Sequence, residues 1–135
     1  MSRRYQDWLM QAQRDLKAAH DSLAAGNYEW AAFQAQQGAE KALKALLRFY
    51  NQEERGHTLL HLLGEARSYV AVPDDLWPKV RELDRHYIQS RYPNGFDSGY
   101  PAEFYDREIT ERVLTYGIAI LEFVQGCVQD SAAEP

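Results

Sequence analysis

The chain has one cysteine, Cys127, among 135 residues. No intrachain disulfide can form. That usage fits a cytoplasmic protein, and Cys127 reads as a small apolar packing residue. Long apolar runs are also missing. No stretch nears the roughly 20 residues a membrane helix needs, so no membrane association is expected. The opening MSRRYQDWLMQAQRDL lacks the apolar centre of a signal peptide. Positive charge is in deficit: the formal net charge is -5 and the pI is near 5.3. A general binder of phosphate backbones would be basic. A small cationic cluster can still act inside an acidic protein. There is no glycine-rich phosphate loop, no nucleophile elbow and no CxxC pair. The carboxylates are scattered, so none can be nominated as a glycosidase pair. Valine and isoleucine first occur at Val70, and strict alternation is never sustained, so strand signals are nearly absent.

What is there is helical spacing. Tyr5, Trp8, Leu9, Ala12, Leu16, Ala19 and Leu23 step by threes and fours, one stripe of a long helix with Ser2 as its cap. Gly26-Asn27 ends that helix and starts the next. Tyr28, Ala31, Ala32, Ala35, Ala39, Ala42, Leu43, Leu46 and Tyr50 stripe a second helix, antiparallel to the first because the turn is so short. Its alanines permit close helix approach. NQEERG reads as a loop. HTLLHLLGEARSYV predicts a shorter helix capped by Thr58, and Asp74 or Asp75 caps a fourth that tolerates Pro78 in its first turn. YPNGFDSGYP breaks the chain, and Pro101 is placed as the first residue of a last long helix. The expected fold is all-α: an up-and-down bundle of about five helices, two long, then a short pair, then one long. One domain spans residues 1–129, with a frayed tail at 130–135.

Three constellations could carry chemistry. Lys41, Lys44 and Arg48 recur at helical spacing with Gln37 and Glu40, either a solvated helix face or a cationic rim for phosphate. His57 and His61 stand four apart, a spacing able to hold a metal on one helix face. The frame His-Thr-Leu-Leu-His has no zincin glutamate, so no metal or other cofactor is expected. His57 reads as a capping or packing residue and His61 as solvent-facing. The third is RHYIQSRYPNGFDSGYP, Arg85 to Pro101. Arg85 and Arg91 share no face of a regular helix. They converge on one anion-accepting groove if the chain turns at Tyr92-Pro93. The planar guanidinium fork suits phosphate; the structural alternative is that Arg91 caps carbonyls while Tyr92 packs.

The order of these segments resembles the HEPN domain family (higher eukaryotes and prokaryotes nucleotide-binding). It is carried by RDLKAA, GNYEWAAFQAQQGAEKALKALL, GHTLLHLL, LDRHYIQSRYPNG and a long final helix, across about residues 5 to 125. The resemblance implies a helical bundle, a homodimer, and a minimal nucleotidyltransferase as partner in a toxin–antitoxin-like pair. It also implies nucleotide or RNA contact, assigned to Arg85, Arg91, Lys41 and Lys44. Many members are metal-independent ribonucleases with an Arg-x(4–6)-His motif. Here Arg81 to His86 and Arg55 to His61 fit that count, while no histidine follows Arg91. Cleavage with His86 and Arg91 as catalytic pair, simple binding, and a ligand-free interaction scaffold therefore all stay open. If a nucleotidyltransferase is the partner, Tyr92, Tyr100 or Tyr105 could accept an AMP.

Overall fold

Gly26 decides the first packing event. It adopts φ +81, a left-handed conformation that costs glycine nothing. Asn27 N–H then reaches back to the Ser22 carbonyl at 2.8 Å and Gly26 N–H to Leu23 at 3.0 Å, the paired bonds of a Schellman ending. Helix α1, Arg4–Ala24, thus stops and reverses into α2, Tyr28–Phe49, within three residues. The computed structural model describes residues 4–133, so the expected cap at Ser2 lies outside the described residues.

Helices α3, Leu59–Ala66, α4, Leu76–Gln89, and α5, Arg107–Ala133, complete the up-and-down bundle. Helix α2 is its centre and packs on all four others. Ala31, Ala32, Ala35, Ala39, Ala42 and Ala45 are fully buried along it, and side chains this small let neighbouring backbones come close. Gly117 of α5 shows how close: a Cβ there would stand 3.0 Å from the Ala35 carbonyl. Leu16, Leu43, Leu46, Leu63, Val80, Leu83, Val113 and Ile120 fill the space between helices.

Helix starts differ from the sequence expectation in three places. Thr58 occupies the N-cap of α3 but makes no side-chain cap bond. The carboxylate of Asp84, on α4, takes that role, accepting from Leu59 N–H at 2.7 Å and Leu60 N–H at 3.1 Å. A cap from 25 residues away leaves no local trace in sequence. Asp75 stands at the N-cap of α4, again without a side-chain cap bond, and pairs with Lys79 instead. Pro101 opens a separate 3-10 turn, Pro101–Phe104. Helix α5 begins later, where the Asp106 carboxylate accepts from Ile109 N–H at 2.9 Å. A second 3-10 turn, Pro93–Gly95, follows α4. At the far end, α5 runs on to Ala133, past the boundary expected at 129.

Candidate functional site: the two faces of helix α4

Helix α4 stays regular to Gln89 and is capped at Ser90. Six residues of regular helix turn the chain by about 240° beyond one full revolution, so Arg85 and Arg91 leave it in different directions. The expected shared groove does not form. Arg91 Nε donates to the Tyr87 carbonyl at 2.9 Å, which fixes the side chain over the side of α4 that meets α2. Arg85 lies on the α5 side, largely exposed and 4.0 Å from Glu82.

The α5 side is closed. His86 is buried, and its Nδ1 lies 2.6 Å from the Tyr105 hydroxyl. Burial, with Glu29 and Glu82 nearby, holds the Tyr105 phenol well above its ordinary range. It therefore stays protonated and donates to Nδ1, leaving the imidazole proton on Nε2, 3.5 Å from Glu82. Burial also pushes the His86 pKa down, against the pull of Glu82. Glu82 itself accepts from Arg112 Nε at 3.2 and 3.1 Å and from Nη2 at 2.8 Å, tying α4 to α5. Burial alone would raise its carboxyl, but Arg112 and His86 outweigh it and hold the pKa low. The Ser90 hydroxyl donates to the His86 carbonyl. His86 is thus a packing residue of the α4–α5 seam. It is not placed beside Arg91, and Tyr105, 7% exposed, is not an accessible AMP acceptor. Tyr92 and Tyr100, at 48% and 58%, are accessible. Above Tyr105, the stacked rings of Phe96 and Phe104, with Arg85 and Arg112, line a shallow cleft of about 250 Å³.

The α2 side is open. The Arg91 guanidinium lies 4.3 Å from the Phe33 ring, 4.6 Å from Tyr87 and 5.0 Å from Tyr92. Among the described residues no carboxylate pairs with it, and its terminal nitrogens have no acceptor. Trp30 extends the same aromatic surface, edge-on to Phe33 and half exposed. On the other part of Tyr87 stacks His57, 5.3 Å between centroids with planes 17° apart. His57 Nδ1 lies 3.2 Å from Glu40 Oε2.

Glu40 and Lys44 correct the expected cationic rim. Both are buried, joined at 3.1 Å, with Lys44 also 5.8 Å from the Trp8 ring. Arg48 covers the same ring at 4.5 Å. Lys41 is held by Asp15 of α1 at 2.6 Å. Neither lysine is free for phosphate, because α1 and the loop after α2 cover that face. Two buried polar atoms there lack partners: Gln36 Nε2 and Glu40 Oε1. Sequence reasoning also missed His57 as a neighbour of Arg91; only the fold joins these two distant positions. The two histidines at four-residue spacing separate, His57 to Glu40 and His61 to Glu54 and Glu65. His61, Glu54 and Glu65 each bring one ligand atom within 4.8 Å of the others and are the residues whose spacing could admit a divalent cation.

Residues 5–127 match the family model of the HEPN domain. The chain belongs to the HEPN family. A solved Thermus thermophilus protein, TT1696, is 42% identical with TM-score 0.90, over 93% of this chain and 98% of that one. The archaeal HEPN homologue ST0689 is 38% identical with TM-score 0.79, over 95% and 99%. A HEPN domain protein of Thermotoga maritima is 31% identical with TM-score 0.75, over 91% and 98%. A Methanocaldococcus jannaschii protein bearing the name "Putative toxin MJ1304" is 25% identical, over 91% of this chain and 87% of its own. HEPN domains commonly dimerise. No described helix of this one is long and apolar enough to cross a membrane.

Proposed function

We propose that this HEPN protein binds a nucleotide or RNA phosphate at Arg91, as the toxin-like half of a pair with a minimal nucleotidyltransferase. One observation carries the binding reading: a guanidinium held on an aromatic platform, with its terminal donors unengaged and no carboxylate beside it. A planar fork fixed in this way suits phosphate oxygens. Exposed rings beside it suit unstacked bases, each worth about 1–3 kcal/mol by stacking. The acidic net charge is consistent with a short, local contact rather than a long phosphate track. Arg85, on the far side of α4, contributes no donor to this platform. The partnership rests on family resemblance, and Tyr92, beside the platform, is the exposed tyrosine best placed to accept a nucleotidyl group.

Fluorescence anisotropy with a labelled single-stranded RNA tests the binding. Arg91→Ala should weaken it at least tenfold, and Arg91→Lys should recover little, because an ammonium offers no planar fork. Equal affinity in Arg91→Ala would leave a helical scaffold as the better description. For the partnership, the tagged protein expressed in its native host should co-purify with a nucleotidyltransferase, and intact mass should show added AMP. Recovery of the chain alone and unmodified would remove the partnership while leaving RNA binding standing.

A further inference from the structure

We infer that His61, Glu54 and Glu65 form a binding site for a divalent transition metal of the zinc class, which clips the loop before α3 onto that helix. The inference does not depend on the proposed RNA binding. His61 and Glu65 stand one turn apart on α3, so both side chains leave the same face. Glu54 comes to them from the loop between α2 and α3. His61 Nε2 lies 3.6 Å from Glu54 Oε1 and 4.0 Å from Glu65 Oε1. One ligand atom from each residue lies within 4.8 Å of both others. These separations are too long for hydrogen bonds, but they suit a shared metal. Nitrogen and oxygen ligands sit about 2.0–2.2 Å from zinc, which places two corners of its tetrahedron about 3.4 Å apart. The 3.6 Å edge between His61 and Glu54 nearly equals that. The longer edges close by small rotations of side chains that are half exposed, as His61 and Glu65 are.

Charge points the same way. Two carboxylates beside a neutral imidazole carry two negative charges, which repel one another and which a divalent cation cancels. Donor type sets the class of metal. Calcium and magnesium favour oxygen ligands, whereas an imidazole with two carboxylates suits zinc and its neighbours. Three protein ligands leave the fourth position to water. The loop backbone passes directly beside the His61 ring: a Cβ added at Gly56 would stand 3.8 Å from His61 Cδ2. A metal joining Glu54 to His61 therefore closes a ring of chain that contains Gly56 and His57 and holds it against α3. His57, four residues before His61, takes no part, because its Nδ1 turns to Glu40.

The test uses the untagged full-length protein, stripped with EDTA and exchanged into metal-free buffer at about pH 7.5, where an ordinary imidazole is neutral. Calorimetric titration with zinc chloride should show one ion bound per chain. Saturating zinc should raise the melting temperature by at least about 3 °C, and magnesium chloride should leave it unmoved. His61→Ala, Glu54→Gln and Glu65→Gln should each weaken zinc binding at least about tenfold, the lower end for changes around a metal site. Without metal, these variants should melt with the native protein, since no fully buried group is removed. His20→Ala takes away an exposed histidine that has only Asp21 beside it and should change nothing. Zinc should also slow amide exchange at Gly56 and His57. Zinc left unbound by the native protein would overturn the inference. So would native zinc affinity in His61→Ala, which would assign the metal to other donors such as Cys127. Binding lost in His61→Ala but kept in Glu54→Gln would remove the clip, and an equal response to magnesium would refute the class of metal.

Discussion

Each side of α4 holds a histidine, a tyrosine, a glutamate and an arginine. Toward α5 these are His86, Tyr105, Glu82 and Arg112; toward α2 they are His57, Tyr87, Glu40 and Arg91. In the first set every charge meets its opposite. Arg112 is engaged by Glu82 through three hydrogen bonds, and both ring nitrogens of His86 face a partner. In the second, the glutamate is neutralised by a lysine from its own helix. The arginine stacks on rings instead of meeting a carboxylate, and the histidine keeps one nitrogen open to water. The same residue types thus make a seam on one side and a receptive surface on the other. What separates them is whether the guanidinium already has an anion.

The sharpest way to break this contrast is to damage the seam. His86→Leu leaves the buried Tyr105 hydroxyl without an acceptor, which should cost about 2–3 kcal/mol. Urea unfolding should record that loss, while RNA affinity at low temperature should hold. A result with affinity lost and stability kept would exchange the roles of the two sides. Next comes Asp84→Ala, which strips two backbone N–H groups at the start of α3 of their acceptor. A lost cap costs typically about 1 kcal/mol, up to about 2, again read by urea.

Acidification probes the seam more gently. The folded pKa of His86 lies below its ordinary 6.5, so the unfolded chain binds the extra proton first. The contribution of His86 is therefore fully present above pH 6.5 and is lost as pH falls from there toward the folded value. Glu82, depressed from 4.5, adds a loss of the same sign at lower pH. Melting between about pH 7 and pH 5.5 should show the first decline, and His86→Gln should flatten it. The smallest change in stability is expected on the open side. Arg91→Ala gives up half-buried cation–π contacts and the Nε bond to the Tyr87 carbonyl, about 1 kcal/mol. It should barely move the melting temperature while removing RNA binding.

Much of the bundle could be read from the chain. The stripes of α1 and α2, the Gly26-Asn27 reversal and the break at Tyr92-Pro93 are local patterns, set by helical period and by which residues a helix or a turn tolerates. The end of α4 was legible; the company its residues keep was not. Tyr105 looked like surface chemistry because sequence shows residue type and not burial. Lys44 looked like part of a solvated face because nothing local announces that the Trp8 ring of α1 lies over it. The pairing of His57 with Arg91 depends on two helices docking through Tyr87 and Phe33, a contact that spacing along one helix cannot encode. The absence of a histidine after Arg91 was a true reading of sequence, yet the neighbouring histidine in space comes from before it.

Asp84 has a consequence for when this surface exists. It clasps the first amides of α3, and the residue one step before that helix's cap is His57. Until α4 has docked, α3 has no anchored beginning and His57 no fixed address. The open surface is therefore complete only with α4 in place. Deuterium uptake should reveal this as shared exchange rates at Leu59 and Leu60, the two latches opening together whenever α4 lifts away.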